Sequence, residues 1–328
     1  MRMINRRAAA LAASLAALVL AAAPAVAQAP AQAWPQRPVK FILTLGPGSG
    51  ADIGARLFAD KLSARWGQPV VVENRPGGDG IVAITGFVGA RDDHTLLFAP
   101  TSTFTGHPYL QDKVPYDQAD LAPVARVTNT LITISAPASL NVKSLKELIA
   151  LARAKPGELN WTSVTGLTDL VIAAYFKNAG IQMTKIPYRD TVQALNDVIE
   201  GRLHFYWSSY AIARPQAQAG KIKILVVNNS ERALQEPDIP TAREEGFPEL
   251  TFDGLIGLFG PRSMPAELRE RIAADVREAA ADPTIAARLT ATGQVVNPGT
   301  AAEFAAAIEE QRLQAAAVAK TLGITPKQ

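Results

Sequence analysis

Residues 39–66, VKFILTLGPGSGADIGARLFADKLSARW, hold three signals in succession: an apolar run (VKFILTL), a glycine-rich turn (GPGSGAD, Gly46–Asp52) and a helical segment with Ile53, Leu57, Phe58 and Leu62 on one face. A strand turning through glycines straight into a helix is the building unit of α/β sheets, and ligands bind at the carboxyl ends of such strands. The turn matches the dinucleotide fingerprint G-x-G-x-x-A loosely, and Glu73, closing PVVVEN, stands at the interval of a ribose-binding acid. Pro47, however, removes an N–H that a pyrophosphate cradle uses, and Asp52 would repel a diphosphate.

The N-terminus argues further against a nucleotide. MRMINRRAAALAASLAALVLAAAPAVAQAP places Arg2, Arg6 and Arg7 before an alanine- and leucine-rich run that ends at Ala25-Val26-Ala27, the pattern of a cleavable signal peptide over 1–27, with 28–33 as linker. The expected compartment is the periplasm, where nicotinamide cofactors are not in ordinary supply. The chain has no cysteine, so neither a disulfide framework nor a lipid-anchored thiol is available. Of 33 basic residues three leave with the leader, which leaves 30 against 30 acidic ones. Such a balance gives no reason to expect nucleic acid or an anionic membrane as partner.

Strand-length apolar runs recur with helical segments between them: HTLLFAP, LITISAP, LNWTSV, MTKIPY, LHFYWSS, IKILVVNN and GLIGLFG follow the two above. This alternation predicts an α/β fold of mainly parallel sheets flanked by helices. Ser144-Leu145-Lys146-Glu147 has capping-box spacing and Pro156-Gly157 ends the helix it starts. After Pro261 the reading finds only alanine-rich helices. About 300 mature residues suffice for two cores. The expected arrangement is lobe 1 from 34–129 and 252–328 and lobe 2 from 130–251, with a ligand cleft between them.

A family resemblance rests on blocks in a fixed order: WPQRPVKFIL, GPGSGADIGAR, GQPVVVENRPGGDG, VPYD, SLKELIALARAKPGELNW, IPYRD with ALNDVIEGR, GKIKILVVNNSERA, DIPTAREEGFPEL and FAAAIEEQR. The chain resembles the Bug family, the solute receptors of tripartite tricarboxylate transporters, from Trp34 to about Gly323. The resemblance implies a periplasmic-binding-protein fold, capture of a small carboxylate or related metabolite, delivery to membrane subunits, and no chemistry on the ligand. The chain departs from the family pattern in three places. P-P-G-G becomes Gly46-Pro47-Gly48-Ser49; S-x-G-x-G-T with a following histidine becomes Ser163-Val164-Thr165-Gly166-Leu167-Thr168-Asp169; P-Y-K-G becomes Pro187-Tyr188-Arg189-Asp190.

Candidate contacts follow from these turns. Gly48 and Gly50 permit close backbone approach, Ser49 offers a hydroxyl, and the first N–H groups of the helix favour a carboxylate; Asp52 either caps that helix or faces ligand. Thr101, Ser102 and Thr103 supply hydroxyls from lobe 1, and Ser163, Thr165, Gly166 and Thr168 supply polar groups from lobe 2. Trp207, Ser208 and Ser209 form either an apolar wall or part of the core. Asp190 either caps the next helix, with Gln193 three residues on, or accepts a ligand amino or hydroxyl group beside Arg189.

An enzyme would have to draw on His94, His107 and His204 alone, without a thiol, a paired histidine motif on a helix or a G-x-S-x-G elbow. No catalytic residue, metal or cofactor is expected, and the receptor is expected to be a monomer. A periplasmic sensor for the same ligands is the alternative function, and a cleft enzyme is a lesser one.

Overall fold

The computed structural model describes residues 34–163, 166–188, 191–233 and 236–327. The leader and linker read from the sequence lie outside them. From Arg37 onward the described strands form two sheets. The first is built from β1 (Val39–Leu43), β2 (Val70–Asn74), β3 (Thr95–Pro100), β4 (Leu121–Thr130), β10 (Gly254–Pro261) and β11 (Gln294–Gly299), in the order β11-β4-β10-β3-β1-β2. The second contains β5 (Ile132–Pro137), β6 (Asn160–Ser163), β7 (Thr184–Lys185), β8 (Phe205–Ser209) and β9 (Ile222–Val227), in the order β7-β6-β8-β5-β9. The helices are α1 (Gly50–Trp66), α2 (Ile81–Ala90), α3 (Thr101–Thr105), α4 (His107–Leu110), α5 (Leu145–Ala154), α6 (Gly166–Ala179), α7 (Thr191–Ile199), α8 (Tyr210–Gln218), α9 (Ala266–Ala280), α10 (Pro283–Ala291) and α11 (Ala301–Leu322).

The fold is a two-lobed α/β architecture, as the alternating runs predict, but each sheet is mixed rather than mainly parallel. β1 pairs β2 and β3 in parallel, whereas β10 runs against both β3 and β4. In the second sheet β6 is parallel to β7 and β8, and β5 is antiparallel to β8 and β9. The antiparallel pairs arise where the chain changes sheets. β4 leaves the first sheet and becomes β5 of the second after Leu131, and β10 brings the chain back alongside β4.

Two strands correct the sequence reading. β4, LAPVARVTNT, does not alternate cleanly because its pairing with β10 shifts register twice, between Ile256 and Gly257 and between Leu258 and Phe259; a shift of this kind breaks the two-residue period. β11, QVVNPG, overturns the expectation that strands cease after Pro261; it is a proline-containing edge strand paired only to β4.

The first lobe centres on Ile42, Leu97, Phe104, Phe259 and Phe304, with the Phe104 and Phe259 rings edge to face at 5.2 Å. The second centres on Trp161, Phe176, Phe205 and Trp207, where Phe176 meets Trp161 at 5.7 Å and Phe205 at 5.5 Å. Helix α11 serves both cores, with Phe304 and Ile308 in the first and Ala315 in the second. No helix among the described residues is long and apolar enough to cross a membrane.

Candidate ligand-binding site

The loops that follow the strands of both sheets enclose a cavity of about 400 Å³. From the first lobe it is walled by Thr44–Gly46 after β1, Pro76–Gly80 after β2, and Thr103, Leu110 and Gln111 after β3; from the second by Thr162, Ser163, Asp169, Lys185, Pro187, Tyr188 and Ala194. A much smaller void, about 30 Å³, lies where the chain crosses between the sheets, bordered by Ser49, Gly50, Ser102, Thr130, Ile132, Thr168, Ser209 and Phe252 among others.

The GPGSGAD turn touches the larger cavity only through Gly46, and its own polar groups are spent on starting α1. Ser49 is the N-cap, accepting from the Asp52 N–H at 3.2 Å, and Asp52 accepts from the Gly48 N–H at 3.0 Å. The Asp52 carboxylate, 4 % exposed, also receives Arg56 Nε at 3.0 Å and Asn74 Nδ2 at 2.9 Å. Burial by itself would push the Asp52 carboxyl up, but the bonds from Arg56, Gly48 and Asn74 together hold it below its ordinary value. A lowered carboxyl stabilises the fold above the unfolded value of 3.8, and that contribution is lost as pH falls through the lower folded value. Asp52→Asn keeps an acceptor for Gly48 and loses the charge, so the variant is expected to be about 1 kcal/mol less stable at pH 7 and to converge on the parent in strong acid. Urea midpoints of both proteins at pH 7 and pH 2.5 check this, and a constant difference would remove the charge from the account.

Where GPGSGAD is turned inward on its helix, the second glycine-rich loop faces the cavity. Gly77, Gly78, Asp79 and Gly80 all have positive φ, at 123°, 57°, 53° and 86°. Behind the loop His107, fully buried, donates from Nε2 to the Asp79 carbonyl at 2.8 Å, while its Nδ1 lies 2.6 Å from the Tyr116 hydroxyl. In front, Asp79 Oδ1 accepts from the Gly166 N–H of the other lobe at 3.3 Å, which places a carboxylate on the N-terminus of α6. Gly106 packs so closely there that a Cβ would lie 2.7 Å from Leu167 N. The two lobes are therefore in contact across the cavity mouth.

On the second lobe's wall Asp169 pairs with Lys185 and accepts from Ser163 Oγ at 2.6 Å, and Thr168 Oγ1 donates to Ser163 at 2.9 Å. Lys185 Nζ also sits 5.6 Å from the Trp161 ring centre. Burial pushes the Asp169 carboxyl above its ordinary value, and the Asp79 charge adds to this; Lys185 and Ser163 oppose without cancelling it. Burial and the bond to Asp197 likewise push the Tyr188 hydroxyl up to about 12. The hydroxyls of Thr44 and Thr103, on the facing wall, are buried with no hydrogen-bond partner among the described residues.

The sequence-derived candidates thus divide. Thr103 and Ser163 line the main cavity, and Gly166 meets Asp79 at its mouth. Ser49, Gly50, Ser102 and Thr168 border the small void. Gly48 and Asp52 belong to the helix cap; Thr101 is fully buried and bonded to Gln311 and the Leu255 carbonyl. Trp207 and Ser208 are fully buried, the former against Phe252 in the core of the second lobe. Thr165, Arg189 and Asp190 lie outside the described residues. Sequence reasoning missed Thr44, Asp79, Asp169, Lys185 and the supporting His107. PGGDG, after the apolar run PVVVEN, carries the same strand-then-glycine signal as GPGSGAD and more glycine per residue.

Two α/β lobes closing on a cavity walled by strand-end loops from both sheets define a solute-binding protein of the periplasmic type. The chain belongs to the tripartite tricarboxylate transporter family of receptors, whose TctC family model matches residues 54–324. It is 30 % identical over 295 residues to a UPF0065 protein of Bordetella bronchiseptica, covering 89 % of this chain and 88 % of that one. It is also similar to a solved R. palustris protein with adipate, at 27 % identity and TM-score 0.83, over 89 % of this chain and 99 % of that one. MatC from Rhodopseudomonas palustris with bound malate shares 27 % identity at TM-score 0.78, over 87 % and 99 % of the two chains.

Proposed function

We propose that this chain is an exported, monomeric receptor that captures a small carboxylate between its lobes and presents it to the membrane subunits of a tripartite tricarboxylate transporter. The observation that carries this reading is the cavity of about 400 Å³ with walls from both lobes and a lobe-to-lobe bond, Asp79 to Gly166, at its mouth. A volume of that order suits a metabolite rather than a macromolecule. Closure then reports occupancy, because both walls must be in place before the ligand is fully enclosed. The adipate and malate held by related proteins support a carboxylate as the ligand class.

The reading is tested on the purified mature protein by thermal shift against a panel of mono- and dicarboxylates, with and without amino groups, followed by small-angle scattering with the best of them. A ligand at a hundredfold its Kd adds about 2.7 kcal/mol of stability, and the radius of gyration should contract on loading. A panel that leaves the melting temperature unmoved throughout would overturn the proposal.

A further inference from the structure

The chemistry of the cavity wall narrows the ligand class, and this step rests on the receptor reading above. Among the described residues, the charged groups that line the cavity are Asp79 from the first lobe and Asp169 and Lys185 from the second. Among these residues the two lobes bring two carboxylates to one enclosure, with the Lys185 ammonium paired to Asp169. A plain dicarboxylate would add two more negative charges to these walls, where water screening is reduced. Neither acid is saturated among the described residues. Asp79 accepts one long bond, from Gly166 at 3.3 Å, and its Oδ2 lies 3.5 Å from His107 Nε2; Asp169 uses one lone pair on each oxygen, for Ser163 and Lys185.

We infer that the ligand carries an amino group beside its carboxylate, with Asp79 and Asp169 receiving the ammonium. The ligand's carboxylate is left to the remaining donors of Lys185 and to the hydroxyls of Thr44 and Thr103, which are buried and without partners among the described residues. Each end of an amino acid then meets its complement, and the like charges brought together by closure are bridged by a cation. The raised Asp169 carboxyl is in keeping with a site that gains by receiving one.

The test is titration calorimetry at pH 7 with matched pairs that differ only in the amine: succinate and aspartate, propionate and β-alanine, hexanoate and 6-aminohexanoate. The expected result is that in at least one pair the amino compound binds about tenfold tighter or more, the worth of a charge-assisted hydrogen bond. In Asp169→Asn, whose single amide oxygen still accepts from Ser163 but whose NH2 group cannot accept from Lys185, that preference should shrink about tenfold while the amine-free partner gains from the released Lys185. Asp79→Asn provides the same readout from the other lobe, and thermal melts of both variants confirm folding. If plain carboxylates bind and no amine improves them, the inference is overturned and the receptor reading stands. An amine preference that survives both substitutions removes Asp79 and Asp169 as its source. No binding by any of the six compounds counts against the receptor reading and this inference together.

Discussion

Gly106→Ala is expected to leave the protein folded and to weaken its ligand about 10- to 100-fold. At this position φ is −83° and ψ is −24°, a conformation any residue adopts, so the methyl group puts no strain on the first lobe's own backbone. What it meets belongs to the other lobe: Leu167 N at 2.7 Å and Gly166 C at 2.9 Å. Both are backbone atoms at the start of α6, which cannot swing aside as a side chain would. Overpacking of this kind costs about 1–3 kcal/mol, and here only the closed form bears it. Since 1.4 kcal/mol is a tenfold change in an equilibrium constant, the closed population and the apparent affinity fall together by about one to two decades. Calorimetry with the best ligand from the screen measures the loss, and scattering should show that ligand no longer contracts the protein. A variant that binds and contracts like the parent would mean that the Gly106–Leu167 contact is not part of the loaded state.

That prediction depends on a contact between Gly106 and Leu167, far apart in sequence, and this separates what the sequence could show from what it could not. The α/β class and nine of the strands are legible because their apolar runs and turn residues are local signals, VKFILTL and GLIGLFG being the clearest. β4 and β11 were hidden because their identity as strands comes from partners distant in sequence: a register-shifted ladder to β10 in one case and a proline-bearing sheet edge in the other. The site divides in the same way. GPGSGAD announces a strand-to-helix turn, but whether Asp52 faces a ligand or its own helix is decided by Asn74 and Arg56, which the turn does not contain. Asp169 stands where the family pattern has departed, so the resemblance gave it no role, and its pairing with Lys185 across 16 residues needs β6 and β7 to be neighbours. His107 reads as a loop histidine before a proline; only the fold brings the Asp79 carbonyl and Tyr116 to its two nitrogens.

Gly80→Ala should combine backbone strain with a steric collision and reduce both stability and binding. Gly80 has φ of 86°, where an L side chain is strained by about 1–2 kcal/mol. Its Cβ would lie 2.4 Å from Thr103 Cγ2 and 3.2 Å from Thr44 Cβ, inside the packed wall formed by the loops after β1, β2 and β3. Repacking that wall costs about a further 1–3 kcal/mol, so the total loss of stability is expected to be about 2–5 kcal/mol. Any relief by movement of the Pro76–Gly80 loop carries Asp79 away from Gly166 and lowers affinity as well. The two contributions are separable. Thr103→Ser deletes the methyl group that the new Cβ strikes while keeping the hydroxyl, so Gly80→Ala with Thr103→Ser should recover the steric part and leave the φ strain. In urea denaturation the double variant is expected to lie about 1–2 kcal/mol above Gly80→Ala alone, after allowance for the cost of Thr103→Ser by itself. Strict additivity of the two substitutions would show that Gly80 is required for its backbone conformation only, and that the close approach to Thr103 does not constrain the wall.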